Sequence, residues 1–456
     1  MSKQGPHTRE TSARRAALLV GQIVRTRRAF TQEVISKHID SSELATEERA
    51  FATRLALGVT TTCGTLDDII NRCLRAPSDI NPDVRDALRI SCYEIIFLGK
   101  DAHAAVDQGV ELAKSVTPKV SGLANVVLRG VLKLRESFPF GDINTDDAAL
   151  ARYFAFPEWL TKRLIADLGR EKAILFMKAS NEPAPLFLAV NNLKLSDDQV
   201  LSVLRENAVL ARKVSPPGLN LEGCLRLQDS RALQIPAVKE LFAQGAILVS
   251  DAASQAIASL MTPEVFPKSY LEIGAGRGTK TILLQSTASR RFGKQMPLSV
   301  LDNHEFKVKL LKQRMKEYDV AIEKAYLADA RDMQDSLGDA SFENIFIDAP
   351  CSGLGTLRRH PEIRWRLEPE SITSLAETGL NMLVEASRHV AVGGILGYAT
   401  CTVLKEENSE LIYKFLQTEI GQRFVLQPIQ GSASFSTSLS PGSSDAHFAV
   451  RIKRQS

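Results

Sequence analysis

At 456 residues the chain is too long for one ordinary core, and a prior of about 150 residues per domain predicts roughly three. With 44% hydrophobic and 24% charged residues, no apolar run near the ~18 residues that span a bilayer and no secretory signal, a soluble cytosolic protein without membrane contact is expected. A net charge of +4 is too small by itself to declare a polyanionic partner, six cysteines without CxxC spacing predict free thiols, and seven histidines without HxxxH spacing predict no metal.

The first 30 residues carry Arg9, Arg14, Arg15, Arg25, Arg27 and Arg28 against Glu10 alone, a local basic face. A solvated helix surface or a transit peptide would also be Arg-rich, but Ala16 to Val24 (AALLVGQIV) reads as part of a packed helix. From Ser12 to about Phe138 apolar residues recur at three- and four-residue steps, with Pro77, Pro82 and Pro118 dividing the run into several helices. The last of these, Ala124 to Lys133, presents Arg129 and Lys133 four apart on one face, where they could meet RNA phosphates or simply complement the helix dipole.

Residues 140 to 147 (FGDINTDD) read as a linker, and residues 148 to 180, with Trp159, as two helices. Leu186 to Asn191 predicts a strand and Ser196 to Glu206 a helix, so a small α+β module is expected near 181 to 250, with a loop at Pro216-Pro217-Gly218. From Ser250 onward strands are predicted near 269–274, 298–302, 324–329, 343–348, 394–400, 424–429 and 447–453. Helical patterns separate most of them, which predicts an α/β domain with a mostly parallel seven-stranded sheet and an antiparallel edge. The expected division is 1–140, 141–250 and 251–456.

Two strands in this last domain end abruptly in cysteine. Phe342 to Asp348 runs into Ala349-Pro350-Cys351-Ser352-Gly353, and Gly394 to Thr400 into Cys401. Ligands bind just beyond the carboxyl ends of such strands, so neighbouring strands would bring Cys351, Cys401 and Asp348 to one pocket. A lone strand-end cysteine is most often a small buried apolar group. Two beside a carboxylate suggest chemistry.

The first strand ends in Glu272-Ile273-Gly274-Ala275-Gly276-Arg277-Gly278-Thr279-Lys280-Thr281, whose alternate glycines let the backbone turn tightly before a helix. Alone, such a turn could serve NAD, a phosphate or S-adenosylmethionine, or merely reverse the chain. The next two strands end at Asp302, suited to a ribose diol, and Asp329, placed to reach an adenine edge; together the three ends predict an adenosine site. No GxxxxGK[ST] loop is present.

Paired thiols beside such a site fit methyl transfer to carbon 5 of cytosine. That carbon is a poor nucleophile until a thiolate adds to carbon 6, and an acid such as Asp348 can hold the proton that stabilises the adduct. A redox pair is the rival reading, but it usually places its thiols as CxxC.

DAPCSGLGT with RRHPEIRW (Asp348 to Trp365) and YATCTVLKEEN (Tyr398 to Asn408) resemble the two catalytic motifs of the RNA cytosine-5 methyltransferases, most closely the bacterial small-subunit rRNA enzymes of the Sun/Fmu type. Residues 12 to 135 resemble the NusB-type RNA-binding domain of that subfamily, and Gly245 to Gln255 its lead-in to the methyltransferase domain. The resemblance implies a class I, Rossmann-like methyltransferase domain. Cys401 would be the nucleophile, Cys351 would assist product release, and Gly274, Ala275, Gly276, Arg277, Gly278, Thr279, Lys280, Asp302, Asp329 and Asp348 would line the S-adenosylmethionine pocket. DNA cytosine-5 methyltransferases use the cysteine of the PC motif as nucleophile, so having both favours RNA. Small-subunit rRNA is the implied partner, and the chain is read as a monomer.

The chain departs from the family's DxCAAPGGKT at Gly274, Arg277 and Thr279, has Asp445-Ala446-His447-Phe448 in place of DGFF, and has Ala189 where Arg is common. Two alternatives follow: an RNA-binding assembly factor with a degenerate methyltransferase domain, or a tRNA cytosine-5 methyltransferase.

Overall fold

The computed structural model describes residues 7–216 and 219–456, with the side chains of residues 7–11 and 102 outside the described set. Arg9, Glu10 and the Pro217-Gly218 part of the expected loop therefore fall outside it. The described residues form two compact units, those up to 182 with 357–366, and those from 183 to 356 with 367–456.

The first unit is all helix: α1 (His7–Arg27), α2 (Thr31–Ile35), α3 (Thr46–Asn71), α4 (Pro82–Ile96), α5 (Ala102–Val116), α6 (Ser121–Arg135), α7 (Asp147–Phe154), α8 (Glu158–Leu168) and α9 (Arg170–Ser180). The prolines act as start signals. Asn81 accepts hydrogen bonds from the Asp83 and Val84 amides ahead of Pro82, an N-cap followed by proline at the first helical position. The core of the first six helices is aliphatic, with Leu55, Leu66, Ile69, Leu88, Leu112 and Leu128 fully buried.

The basic opening does not survive intact as a surface. Arg14 is buried and donates from Nε and Nη2 to Glu94 at 2.8 Å each, while Arg25 pairs with Asp83 and Asp86. Arg15, Arg27 and Arg28 are exposed, as are Arg129 and Lys133 on α6. Residues 148 to 180 make three helices rather than two, because Ala155 in the left-handed region precedes Pro157 and Gly169 (φ +80°) breaks the run again.

The second unit begins with β1 (Leu186–Val190), α10 (Asp197–Glu206), β2 (Ala211–Lys213), β3 (Cys224–Leu227), α11 (Pro236–Ala243) and β4 (Ile247–Val249), an antiparallel sheet in the order β2-β3-β1-β4. Three of these strands have only three or four residues, too short to show alternation in the sequence, so only β1 and α10 were predictable.

There follow α12 (Ala252–Met261), β5 (Tyr270–Ile273), α13 (Thr279–Phe292), β6 (Leu298–Asp302), α14 (Glu305–Glu317), β7 (Ala325–Leu327), α15 (Gln334–Leu337) and β8 (Phe342–Asp348). The chain then returns to the first unit, where it forms α16 (Ile363–Arg366), and comes back as α17 (Pro369–Arg388), β9 (Val390–Thr400), α18 (Ser409–Gln417), β10 (Phe424–Gln427), β11 (Phe435–Ser436) and β12 (Phe448–Arg454).

The main path of this sheet is β10-β12-β9-β8-β5-β6-β7, with β11 paired to β12; β12 is antiparallel to its neighbours and the five strands from β9 to β7 are parallel. All seven predicted strands are present, and β11, two residues in a Ser-rich stretch, is an eighth. β9 starts four residues earlier than predicted because Gly393 (φ +79°) and Gly394 allow a register shift against β8 rather than ending the strand. Apolar layers cover both faces: Tyr270, Val300 and Phe346 pack with α12 and α13 on one side, and Ile273, Ile347 and Leu396 with α17 and α18 on the other. No helix among the described residues is long and apolar enough to cross a membrane.

Candidate active site

The strand order reverses between β5 and β8, and it is there that parallel sheets of this kind leave a crevice beyond the strand ends. Register places Ile273, Ile347 and Tyr398 side by side, and Asp348 beside Ala399. The chain segments that leave β5, β8 and β9 therefore emerge together.

The two thiols meet. Cys351 Sγ lies 3.4 Å from Cys401 Sγ, the Cys401 amide donates to Cys351 Sγ at 3.3 Å, and both residues are partly exposed. Backbone bonds from Ala349 N–H to Ala399 O (3.0 Å) and from Gly355 N–H to Cys401 O (2.9 Å) tie the two loops together. Gly355 has no room for a side chain: a Cβ would stand 1.9 Å from the Ala446 carbonyl oxygen and 2.8 Å from that of Cys401.

The sulfurs differ in character. The hydrogen bond from Cys351 lowers the Cys401 thiol below its ordinary value, with Lys280 also favouring the thiolate. Cys351 is raised well above the ordinary thiol range by that same bond and by burial. The two thiols are thus inequivalent, Cys401 the more acidic and Cys351 the less.

Lys280, which the sequence reading placed only among cofactor residues, reaches Asp348, with Nζ 2.6 Å from Oδ2. Burial works against the Lys280 charge, but the Asp348 carboxylate outweighs it and Lys280 stays cationic above its usual range.

The glycine turn has the conformation its sequence requires. Gly274, Gly276 and Gly278 all have positive φ (+79°, +56° and +81°), and a Cβ on Gly274 would come 2.5 Å from the Asp348 carbonyl oxygen. The Gly276 amide donates to Asp302 Oδ2 at 2.9 Å, while Arg314 donates to the Arg277 carbonyl and the Thr279 hydroxyl. Asp302 is nearly buried beneath the turn, and Asp329 is half-exposed and paired to Arg331. The turn leads directly into the first turn of α13, whose N-terminal cap is Gly278 in the left-handed region.

Three buried groups were not singled out from the sequence. Glu272 is fully buried on β5, and burial pushes its carboxyl up to about 7, with Asp348 adding to the effect. His447, at the DAHF departure, is buried with no hydrogen-bond partner for Nδ1; burial and then Lys280 push it down to about 4. Glu407 is buried against Ser352. Strand-end position found the thiols and aspartates, whereas these three lie within a strand, before one and in a turn.

A doubly wound sheet with this order, a glycine turn after its first strand and an acidic end on the next fits an adenosine-containing cofactor, and the family comparisons make the class an S-adenosylmethionine-dependent methyltransferase. Known proteins agree. Residues 261–449 match the model described as 16S rRNA methyltransferase RsmB/F, residues 11–133 the NusB family, and residues 156–228 the ferredoxin-like domain of RsmF/B-like methyltransferases. The chain is 30% identical over 380 residues to the ribosomal RNA small subunit methyltransferase B of Escherichia fergusonii, covering 82% of this chain and 83% of the relative. It is 29% identical over 412 residues to the probable enzyme of that name in Bacillus subtilis (90% and 89% covered). This chain belongs to the RsmB/F family of 16S rRNA methyltransferases. Among solved structures, PH0851 superposes with a TM-score of 0.78 at 22% identity over the whole of both chains, and NSun6 from Pyrococcus horikoshii with SFG at 0.56 and 17%, over 67% of this chain and all of that one. These share the fold.

Proposed function

We propose that the protein methylates carbon 5 of a cytosine in small-subunit ribosomal RNA through a covalent adduct at Cys401. The observation that carries this reading is the 3.4 Å approach of two inequivalent, partly exposed sulfurs beside the Lys280–Asp348 pair. A disulfide or redox role would not need a cation and a carboxylate at the same point, nor a neighbouring cofactor turn.

In this reading the Cys401 thiolate adds to carbon 6 of the ring, forming a C–S bond and moving electron density to carbon 5. A proton passes from Lys280 through Asp348 to the ring nitrogen, keeping the adduct neutral, and returns the same way when Cys401 leaves. S-adenosylmethionine, when bound, would supply the electrophilic methyl for carbon 5, its sulfonium S–CH3 bond breaking and the sulfur leaving as a neutral thioether. Carbon 5 then loses its proton to Cys351 or to a water it positions, the 5,6 double bond re-forms, and Cys401 leaves as thiolate. Once Cys401 is bonded to the ring, the negative charge that held the Cys351 proton is gone, so Cys351 gives that proton to solvent and its thiolate, or a water beside it, can take the one on carbon 5.

Gly274 to Lys280, with Asp302, Asp329 and Asp348, are assigned to the S-adenosylmethionine site, Asp302 bracing the turn and Asp329 with Arg331 forming its outer edge. The helical residues 1–140 and the module 141–250 are assigned to RNA, the exposed Arg129 and Lys133 among their contacts, and 251–456 to chemistry. The protein is read as a monomer acting in the cytoplasm, and the small-subunit names of its relatives support rRNA as its substrate. Incubation with unmodified rRNA and methyl-labelled S-adenosylmethionine, followed by bisulfite sequencing, tests the reading: one cytosine should resist conversion, and an unlabelled rRNA would refute it.

A further inference from the structure

Neither thiol loop is rigid by its own sequence, since both run through short turns outside the strands, yet their sulfurs are held within 3.4 Å. Besides the backbone bonds that tie the loops, a side-chain network behind the site holds them. Ser352 follows Cys351 and Thr402 follows Cys401, and their hydroxyls lie 2.7 Å apart. Both face Glu407, which is 1% exposed. One carboxylate oxygen accepts the Ser352 amide at 2.6 Å, the other accepts the Ser352 hydroxyl at 2.6 Å, and Thr402 also bonds to the carboxylate.

The next residue grips the second loop from both sides. Asn408 Oδ1 accepts the Thr400 hydroxyl at 2.6 Å and its Nδ2 donates to the Thr402 carbonyl at 3.1 Å, so Cys401 sits between two anchored neighbours. The backbone of Glu407 is itself fixed, its carbonyl accepting the Tyr398 hydroxyl at 3.1 Å.

We infer that Glu407, seconded by Asn408, is a positioning residue that clamps the residues after both cysteines and so sets the sulfur-to-sulfur approach on which the nucleophile depends. A buried carboxylate with charge-assisted bonds to two separate loops is costly unless those bonds are made, and their directions specify one loop arrangement. A purely packing role would need neither the second hydroxyl nor the Ser352 amide. Glu407 touches no reacting atom.

The inference deepens the cytosine-5 reading and rests on it for its effect on turnover, but its first readout does not require RNA. In the free protein, iodoacetamide alkylation of Cys401, followed across pH by peptide mass spectrometry, reports its thiol titration. The double variant Ser352→Ala/Thr402→Val, which keeps the Glu407 charge, should move the midpoint upward because a displaced Cys351 no longer supports the Cys401 thiolate, and Glu407→Ala should move it upward by less, since loss of the Glu407 charge by itself lowers Cys401. Thr402→Ser, which keeps the hydroxyl, should stay at the wild-type midpoint. On rRNA, Glu407→Ala should lower kcat about a hundredfold, the scale of an ångström's misplacement, with calorimetric S-adenosylmethionine affinity within about threefold of wild type. The double variant leaves Glu407 in place and answers for it if Glu407→Ala does not fold. Unchanged alkylation midpoints in both would overturn the inference. Shifted midpoints in a protein that methylates no cytosine would uphold the clamp and remove the cytosine-5 reading instead.

Discussion

Lys280 and Asp348 stand 2.6 Å apart, Nζ to Oδ2, although they come from different arms of the strand-order reversal: Lys280 from the first turn of α13, Asp348 from the end of β8. The pair puts one cation beside the reactive thiol and fixes the carboxylate assigned to the ring nitrogen. Lys280→Met should therefore raise the Cys401 thiol titration, since a group that favours the thiolate is lost. It should also cut kcat by at least about a hundredfold, the lower range for a positioned acid–base group. Alkylation against pH and single-turnover methyl transfer read the two effects separately.

Cys351→Ala removes the proton donor to Cys401 and the base assigned to release. The Cys401 titration should again rise, and RNA already bonded to Cys401 should fail to leave. A protein–RNA adduct that persists on a denaturing gel, absent from wild type, is the expected result.

Glu272 and His447 give opposite pH slopes to stability. Glu272 is raised from 4.5 to about 7, so the folded state holds a proton the unfolded state has lost, and stability falls as pH rises across that window. His447 is depressed from 6.5 to about 4, so its contribution is present above 6.5 and is lost as pH falls toward 4. The windows overlap and the slopes offset each other. Between pH 5 and 6.5, the urea midpoint of Glu272→Gln should rise with pH relative to wild type, and that of His447→Phe should fall.

Gly355 is fixed by space alone, Gly274 by space and conformation together. Gly355→Ala would drive a Cβ against the Ala446 carbonyl, with a loss of about 1–3 kcal/mol or more, the usual cost of overpacking. Gly274→Ala adds a positive φ to a close approach to the Asp348 carbonyl, so it should weaken S-adenosylmethionine binding as well as stability. Thermal melting and calorimetry check the pair.

Much of this was legible in the sequence because parallel strands are short apolar runs with abrupt ends, and those ends are where ligands bind. Asp348, Cys351 and Cys401 could be placed from that alone. Other features depend on distant partners. The charge run of α1 looked like a surface, yet Arg14 is consumed by Glu94, eighty residues away. Residues 357–366 follow the first thiol in sequence and look like part of its motif, but fold in the helical unit, where the Glu362 carboxylate accepts from the Thr31 amide and hydroxyl and Trp365 Nε1 donates to the Thr61 carbonyl. Gly64 leaves the space that the Trp365 ring fills. The role of Glu407 was equally hidden, since its partners are fifty-five and five residues back in the chain.

The most direct test is transfer of labelled methyl from S-adenosylmethionine to unmodified small-subunit rRNA by the wild-type protein and by Cys401→Ala, with both confirmed folded. The account predicts label at carbon 5 of one cytosine for wild type and none for the variant. Full labelling by Cys401→Ala would contradict it.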